Sequence, residues 1–306
     1  MDIDLEPGKY VVAVSGGVDS VALLHLLHHK KLISKDGTWK HWKLIVGHFN
    51  HGVREDSGGD RKFVQELAGN FGFPFVYDEG RLGSGASEAV ARTARYEFLR
   101  AAQKAAGARG IITAHHQDDV LETAVINLVR GTGRRGLSSL KSTAEIARPL
   151  LNVTKKDLLN YAHEHQLRWR EDSTNQDTKY LRNHIRHNIL PRFSDDDRDS
   201  LLARINRLHK INQEIDDGLR QVFQQLVRGQ TSHIGRAEFI GLPHGVAREV
   251  MASWLRQHGV RGYDRKTLER LVVAAKTYRP GTYADVSGAY HLAVFKKSLA
   301  LIERER

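Results

Sequence analysis

Short apolar blocks alternate with segments of helical periodicity along the first half of the chain. Four apolar runs have the length and composition of buried strands, at residues 9–14, 44–49, 74–77 and 110–114. Apolar residues recur at helical spacing after each run, at residues 18–28, 60–71, 87–106 and 118–130. Strands joined through helices pair in parallel by right-handed crossovers. The pattern therefore predicts an α/β fold with a doubly wound parallel sheet that helices cover on both faces.

The pattern changes after residue 154, where helices dominate. Thr154 with Asp157 is typical of a capping box, and it opens a helix that ends near residue 165. Further helices are predicted at about residues 180–191, 196–227, 245–258 and 264–278, and two strands, at 290–295 and 299–302, form a hairpin. We expect three parts, namely a sheet domain over residues 1–192, a helical linker over 193–230 and a small α+β domain over 231–306.

Composition narrows the classes of function. The chain has 306 residues with 47 Lys and Arg against 36 Asp and Glu, a formal charge of +11, which favours a polyanionic partner such as nucleic acid. It has no cysteine, which excludes disulfides, cysteine–zinc sites, iron–sulfur clusters and thiol chemistry. No apolar run approaches the roughly 20 residues that span a bilayer, and the acidic start leads straight into a strand. We expect a cytoplasmic protein without a membrane partner.

A glycine-rich segment stands between the first predicted strand and the first predicted helix. Its residues are Ser15, Gly16, Gly17, Val18, Asp19 and Ser20, and we assign all six to nucleotide binding. Glycines let the backbone approach a phosphate, and the helix N-terminus presents unpaired N–H groups. Because a carboxylate repels phosphate unless a cation intervenes, we interpret Asp19 as a Mg²⁺ ligand. The alternative is a tight turn with helix-capping side chains, which the length of the motif disfavours.

The segment resembles the pyrophosphate loop, or PP-loop, of the N-type ATP pyrophosphatases. The Walker A pattern of kinases and GTPases is absent from the sequence. The resemblance implies a fold like that of the adenine-nucleotide alpha hydrolases and cleavage of ATP between its α and β phosphates, which leaves AMP on a substrate oxygen. Relatives that transfer sulfur depend on cysteine, which this chain lacks. Attack by a nitrogen nucleophile on the adenylated substrate therefore remains.

Further polar clusters extend the resemblance. They are HFNHGVR at 48–54, HHQDDVLET at 115–123, RGTG at 130–133, RPLL at 148–151, EDSTN at 171–175 and RNHIR at 182–186. Over about residues 10–191 the chain resembles the tRNA(Ile)-lysidine synthase family. The resemblance implies a carbon–nitrogen ligase that uses ATP and Mg²⁺ to adenylate the wobble cytidine of tRNA(Ile) with a CAU anticodon, after which L-lysine displaces AMP from carbon 2. It also makes a homodimer reasonable and a tRNA-binding role reasonable for the small C-terminal domain.

Two carboxylates are expected at the mouth of the sheet. Asp119 and Glu122 lie three residues apart on one face of a predicted helix. They suit an incoming lysine ammonium or a Mg²⁺ shared with Asp19, and one of them can take the proton that the amine must lose before it attacks. An acidic helix start that stabilises the helix dipole is the alternative interpretation, and we assign Asp118 to that capping role.

Histidines and an asparagine after the second and fourth strands are further candidates. We assign His48 and Asn50 to nucleotide binding, because the carboxyl ends of parallel strands share one edge of the sheet. A lone histidine is more often structural, so only the neighbouring motifs favour this assignment. Adjacent residues that leave a strand point in opposite directions, so a zinc site shared by His115 and His116 is the weaker interpretation.

Basic residues flank these clusters and are candidates for binding phosphates of ATP or tRNA. We assign to the substrate Arg54, Arg92, Arg95, Arg130, Arg182 and Asn183. The candidate catalytic residues are Asp19, Asp119, Glu122 and Arg186. The family resemblance places the helix of Arg92 and Arg95 on the side that faces tRNA. For each single arginine the alternative is a solvated surface position without a ligand.

Two other functions remain open. A synthetase of the NAD or GMP type that acts on a small molecule accounts for the loop and the missing cysteines, but not for the +11 charge or the RNHIR motif. A catalytically silent module that senses nucleotides or binds RNA accounts for the fold. The acidic residues Asp19, Asp119 and Glu122 argue against a silent module, because a degenerate site usually loses its acids.

Overall fold

The first sheet follows the alternating pattern of the sequence. The computed structural model describes residues 3, 5–33, 42–50, 57–80, 88–170, 181–227, 233–260, 262–287 and 289–304. Five strands form the sheet, namely β1 (Lys9–Ala13), β2 (Lys43–Asn50), β3 (Phe75–Glu79), β4 (Gly110–Ile112) and β5 (Ile146–Ala147). They are all parallel and lie in the order β3-β2-β1-β4-β5. The predicted α/β fold with a doubly wound sheet is confirmed, although β5 was not expected from two apolar residues.

Helices cover both faces of this sheet. They are α1 (Val18–Ile33), α2 (Ser57–Asn70), α3 (Glu88–Ala105), α4 (Gln117–Val129), α5 (Arg134–Leu137), α6 (Lys155–Glu164) and α7 (Leu181–His184). Val12 packs with α1, α2 and α6 on one face, whereas Val11 packs with α3 on the other. Gly47 lets α3 approach closely, because a Cβ there would lie 2.9 Å from Val11 and 3.1 Å from Leu99.

Two helix boundaries depend on local polar contacts. Thr154 is confirmed as the N-cap of α6, since its hydroxyl accepts the N–H of Asp157 at 3.0 Å, but the carboxylate of Asp157 accepts from that hydroxyl at 2.6 Å in place of the reciprocal backbone contact of a capping box. The single helix expected over residues 180–191 is wrong in detail. There α7 continues into a π-helical turn (Ile185–Ile189) and a 3₁₀ turn (Leu190–Arg192). Pro191 lacks a backbone N–H, which prevents a regular continuation.

The second compact unit, His209–Arg306, has its own core, and its boundary with the first (Met1–Leu208) falls inside the long helix α8 (Asp195–Leu226). Its other elements are β6 (His233–Gly235), α9 (Arg236–Gly241), α10 (His244–Gln257), α11 (Arg265–Thr277), β7 (Thr282–Ser287), β8 (Tyr290–Val294) and β9 (Ser298–Glu303). The strands form an antiparallel sheet in the order β6-β9-β8-β7. The predicted hairpin of β8 and β9 is confirmed.

Within this unit two strands were missed. β6 has three residues and β7 carries an aspartate, so neither shows a clear apolar alternation. The guanidinium of buried Arg236 donates to the backbone oxygens of Ala275, Tyr278 and Phe295, which ties α9 to the end of α11 and of β8.

No helix in the described ranges is long and apolar enough to cross a membrane. The three-part division at residues 192 and 230 stays a prediction.

A cluster of histidines packs where α1 and α6 meet. The Nδ1 atom of His25 lies 2.8 Å from the hydroxyl of Tyr161, and its ring centroid is 5.0 Å from that of His165 and 6.1 Å from that of His29. Burial, with the charges of His165, His29 and His28, lowers the pKa of His25 to about 4. Burial also raises the pKa of Tyr161 to about 12. The His25–Tyr161 pair is therefore neutral near pH 7.

We expect this cluster to weaken the fold in acid. Unfolded His25 takes up a proton at about pH 6.5, whereas the folded protein keeps it neutral down to about pH 4, so stability falls as the pH drops through that window. Between pH 7 and pH 5 the Tm of His25→Gln should therefore fall less than the Tm of the wild type. We expect the two drops to differ by about 2 °C or more in scanning calorimetry. His163→Gln removes an exposed histidine from α6 and should keep the wild-type slope. Equal slopes for all three proteins would contradict the assignment.

Candidate active site

The glycine-rich segment forms a pinned turn between β1 and α1. The hydroxyl of Ser20 accepts the N–H of Ser15 at 3.2 Å and of Gly16 at 3.3 Å, and it donates to the carbonyl of Gly17 at 2.9 Å. Gly16 has a φ of +96°, which favours glycine. Ser20 is buried, so the structure uses its hydroxyl to hold the turn, although the sequence suggested a direct contact with phosphate.

The two polar residues assigned to nucleotide binding on β2 are both buried, and His48 contacts the residue before this turn. His48 is buried, and its Nδ1 atom lies 2.9 Å from the carbonyl oxygen of Val14, the residue before the loop. Burial lowers the pKa of His48, which is therefore neutral near pH 7. Its Nε2 atom is buried without a hydrogen-bond partner in the part of the chain that the structure describes. Asn50, at the end of β2, is also buried. His48 therefore holds the end of β1, from which the loop starts.

The carboxylate of Asp19 lies at the start of α1 and is surrounded by cationic groups. It accepts a hydrogen bond from Nζ of Lys155 at 2.5 Å, and its Oδ2 is 3.6 Å from Nε2 of His116. Burial alone raises the pKa of Asp19, but His116 and Lys155 outweigh it and hold that pKa below its ordinary value. Burial likewise lowers the pKa of His116, but the acids Asp19 and Asp119 outweigh it and raise that pKa. Asp19 is therefore ionised beside a histidine that favours its charged form.

His116 also faces the candidate catalytic acid of α4. Its Nε2 atom lies 3.6 Å from Oδ2 of Asp119, the same distance as to Asp19. The backbone N–H of His116 donates to Oδ2 of Asp119 at 3.0 Å, so this carboxylate closes the first turn of α4. The capping hydrogen bond of α4 thus comes from Asp119, whereas the dipole-stabilising role assigned to Asp118 stays a prediction. Asp118 lies in the same first turn of α4 and forms a 3.7 Å ion pair with Arg198.

The carboxylates of Asp119 and Glu122, which we call the acid pair, accept hydrogen bonds from two arginines. Arg182 donates through Nε to Glu122 at 2.8 Å and through Nη2 to Asp119 at 2.9 Å. Arg186 donates to Glu122 through Nε at 2.6 Å and through Nη2 at 3.0 Å. The side chain of Glu122 is 1% exposed, against 21% for Arg182 and 33% for Arg186. The structure thus pairs the expected ammonium-binding acids with the expected phosphate-binding arginines.

The other predicted substrate residues fall in several places. Asn183 is buried beside this pair on α7, and Arg130 is exposed at the C-terminal end of α4. Arg92 and Arg95 lie on α3 over the ring of Tyr96. Arg54 lies outside the described residues. The structure therefore brings the loop, Asp119, Glu122, Arg182 and Arg186 together on one side of the sheet edge, and it places Arg92 and Arg95 on another helix.

Two functional candidates were missed or undervalued. Lys155 was not singled out, although it is the first residue of α6, a helix that packs beside α1. His116 was weighed only as a zinc ligand, whereas it lies between two carboxylates. His115 points away from it toward Thr113, at 2.8 Å, as the alternation of side chains predicts. Contacts across the sheet edge, such as those of Lys155 and His116, leave no periodic signal in a sequence.

The donors fit a magnesium ion that is held mainly by phosphates. Among the described residues no group of three or more acidic or histidine side chains is arranged to hold a metal. Mg²⁺ is usually bound by one or two carboxylates together with substrate phosphates and water. Asp19, a single ionised carboxylate beside the loop, suits that arrangement.

A parallel sheet with a glycine-rich loop between its first strand and first helix defines a doubly wound nucleotide-binding protein. The sequence profile of the PP-loop domain family matches residues 3–193, and the chain belongs to that family. The match includes all five strands of the first sheet, and it includes Arg182 and Arg186, the two arginines that contact the acid pair.

Relatives within the family share a name. The tRNA(Ile)-lysidine synthase of Thermotoga sp. (strain RQ2) is 39% identical over 195 residues, which is 61% of this chain and 46% of that protein. The tRNA(Ile)-lysidine synthase of Solibacter usitatus is 33% identical over 281 residues, which is 87% of this chain and 61% of that protein. The chain thus spans about half to three-fifths of the length of these curated relatives.

A solved structure shares the fold. The tRNA thiolase NcsA from Methanococcus maripaludis, described with its iron–sulfur cluster (4Fe-4S), aligns with a TM-score of 0.53 and 17% identity. The alignment covers 67% of this chain and 73% of the thiolase. The likeness shows the fold alone, and this chain has no cysteine with which to bind such a cluster.

We expect Glu122→Gln to destabilise the first unit. The substitution leaves two guanidinium groups beside a neutral amide, and removing one partner of a fully buried ion pair costs about 3–5 kcal/mol. Because Arg182 and Arg186 keep some contact with solvent, we expect a loss of about 2 kcal/mol in urea unfolding. Glu97→Gln, on an exposed position of α3, should change the free energy by less than about 0.5 kcal/mol. Similar small losses for both variants would show that the pair contributes little.

Proposed function

We propose that the chain acts as a tRNA(Ile)-lysidine synthase, which ligates L-lysine to carbon 2 of the wobble cytidine in tRNA(Ile) with a CAU anticodon. The observation that carries the proposal is the position of His116. Its Nε2 atom is 3.6 Å from the carboxylates of both Asp19 and Asp119, so the phosphate loop and the acid pair belong to one site. Membership of the PP-loop domain family and the similarity to proteins named tRNA(Ile)-lysidine synthase support the proposal.

The proposed reaction has two steps that use one site. The O2 atom of cytosine attacks the α-phosphorus of ATP, and pyrophosphate leaves. The ε-amine of lysine then attacks carbon 2, the bond from carbon 2 to oxygen breaks, and AMP leaves with that oxygen. The amine must lose a proton in the second step, because its ordinary pKa lies at about 10.4.

The glycine-rich loop and the residues beside it bind the ATP phosphates in this reaction. The N–H groups at the start of α1 suit the pyrophosphate that leaves, whereas the N–H groups of Ser15 and Gly16 donate to the hydroxyl of Ser20 within the loop. When bound, Mg²⁺ neutralises phosphate charge and aligns the phosphates, and Asp19 is the carboxylate that would hold it. Lys155 lies at the same carboxylate and is close enough to exchange that contact for a phosphate oxygen. Lys155 therefore joins the candidates for nucleotide binding.

The carboxylates of Asp119 and Glu122 receive the amine of lysine in this reaction. Each oxygen of Asp119 and Glu122 already faces an arginine or the N–H of His116, so a lysine ammonium reaches a carboxylate only after a guanidinium moves. A guanidinium released from Asp119 can pair with the phosphate of the adenylated cytidine, which carries the negative charge of the intermediate. The freed carboxylate is then available to accept the proton of the amine. The exchange couples adenylation to the attack of lysine.

The proposal extends to the setting of the enzyme. Residues 1–192 act as the catalytic domain, 193–230 as a helical linker and 231–306 as a tRNA-binding domain. Basic residues of the last segment support that role, at Arg265, Lys266, Lys296 and Lys297. The enzyme works in the cytoplasm, where tRNA is used, and we propose a homodimer as its assembly.

Incorporation of lysine into tRNA tests the proposal directly. Purified protein with Mg²⁺, ATP and labelled lysine should attach label to tRNA(Ile) with a CAU anticodon, and only when ATP is present. tRNA(Met), which has the same anticodon, should stay unlabelled. The wobble position replaced by uridine should also give no label, since uridine presents a different base edge.

Two results would contradict the proposal. One is no label on any tRNA while small acids or amides still stimulate release of pyrophosphate, which would favour a synthetase that acts on small molecules. The other is binding of tRNA without any turnover of ATP, which would favour a silent RNA-binding module.

Neighbouring aspartates provide a matched test of the catalytic roles. Asp119→Asn removes the carboxylate of the acid pair, and we expect kcat to fall by about 10²-fold or more, because general-base and charge effects have that size. Asp118→Asn changes the adjacent residue, which contacts Arg198 instead, and should stay within about threefold of the wild type. Single-turnover assays of pyrophosphate release and of lysine transfer measure both steps. Equal losses in the two variants would refute the assignment.

A further inference from the structure

Both oxygens of the Asp19 carboxylate face cationic side chains of other elements. Nζ of Lys155 donates to Oδ1 at 2.5 Å, and Nε2 of His116 lies 3.6 Å from Oδ2. Solvent reaches the ion pair with the lysine, because the side chain of Asp19 is 30% exposed and that of Lys155 is 35% exposed. The carboxylate that suits Mg²⁺ is therefore already neutralised by groups of the protein itself.

The fold fixes the backbone of Lys155 but not the partner of its charge. Lys155 is the first residue of α6, after the N-cap Thr154, and the buried side chain of Leu158 packs into the same core as α1. A cation is disfavoured at this position, because the N-terminal end of a helix carries partial positive charge. Asp19 offsets that cost, and so would another anion beside the glycine-rich loop. The four-carbon side chain of lysine lets Nζ move between such partners while α6 stays in place.

The contact from Lys155 opposes metal binding at Asp19. A divalent cation that approaches this carboxylate meets the ammonium group as a like charge, and it must displace a hydrogen bond of 2.5 Å. Mg²⁺ also loses its water reluctantly and is usually held by only one or two carboxylates together with substrate phosphates. Phosphate oxygens change this balance, since they ligate the metal and give the ammonium group a second anionic partner. Asp19 then becomes free to bind the metal.

We propose that Lys155 keeps divalent cations off Asp19 until ATP binds, and that its ammonium group then moves from Asp19 to a phosphate oxygen. Lys155 is thus a positioning residue that makes the binding of ATP and the binding of Mg²⁺ depend on each other. The inference rests on the proposed assignment of Asp19 to Mg²⁺ and of the glycine-rich loop to ATP. It does not rest on the proposed tRNA and lysine substrates.

Binding of Mn²⁺, a paramagnetic probe for Mg²⁺ sites, tests the proposal without ATP, tRNA or lysine. Electron paramagnetic resonance measures the Mn²⁺ that stays free in the presence of the protein. We expect weak binding to the wild type and about tenfold tighter binding to Lys155→Gln, a change within the usual range of coupling between two sites. Lys156→Gln removes the same charge from the next residue, which is exposed, and should bind Mn²⁺ like the wild type.

Two further variants separate this role from a general effect on the helix. Lys155→Arg keeps a cation at the start of α6, so Mn²⁺ binding should return to the weak wild-type value. Lys155→Gln combined with Asp19→Asn removes the proposed metal ligand as well, so the tighter binding of Mn²⁺ should be lost.

Binding of ATP tests the second half of the exchange. An ATP analogue with a fluorescent group on its ribose is titrated in EDTA, where no metal contributes to binding. Lys155→Gln should bind this analogue about tenfold more weakly than the wild type, because one ammonium–phosphate contact is missing. Lys156→Gln should again match the wild type.

Several outcomes overturn the proposal. Equal Mn²⁺ affinity in Lys155→Gln and the wild type would show that the lysine does not exclude the metal. A gain that persists without Asp19 would place the metal elsewhere, and an equal gain in Lys156→Gln would reduce the effect to surface charge. Wild-type affinity of Lys155→Gln for the ATP analogue would contradict the transfer to phosphate. These measurements use no tRNA and no turnover, so failure of the lysidine reaction is distinguished from failure of this proposal.

Discussion

The buried carboxylate of Glu122 is the interaction on which the candidate site depends. It projects from α4 and receives three N–H donors from Arg182 and Arg186, at 2.6–3.0 Å. Without these donors a carboxylate at 1% exposure would be an unpaired buried charge, and without Glu122 two arginines would repel each other. The pair therefore fixes α7 and the π-helical turn against α4, and it decides where the cationic side chains of that segment lie.

The order of the strands explains why so many polar groups meet there. Because β1 lies between β2 and β4, the loop after β1 and the start of α4 after β4 emerge side by side. Sequence order reverses direction at this point of the sheet, which is where doubly wound proteins bind ligands. The closeness of Asp19 and Asp119 to one imidazole follows from this topology. Lys155, at the start of α6, then adds a cation beside the loop.

Much of the architecture follows from sequence periodicity, whereas the contacts within the site do not. The strands around Val11, Val46 and Ile111 are continuous apolar runs, which is how strands buried on both faces look. β5 was missed because a strand of two residues is too short to show a hydrophobic periodicity. Asp118 and Asp119 are alike in sequence, and only the turn geometry decides that Asp119 caps α4 while Asp118 faces Arg198. Pairing of Arg182 with Glu122 joins residues 60 positions apart, beyond the reach of any local pattern.

Charge is distributed unevenly around this edge of the sheet, and the distribution indicates an order of events. The acid pair is neutralised by Arg182 and Arg186, and Asp19 is neutralised by Lys155 and His116. An ammonium group that approaches Asp119 or Glu122 therefore meets no open counter-charge while these two guanidinium groups stay in place. A phosphate that forms beside Arg182 changes this balance, since it competes with Asp119 for the same guanidinium. In the proposed reaction, the arrangement thus exposes the acids to the amine only after phosphate chemistry has begun.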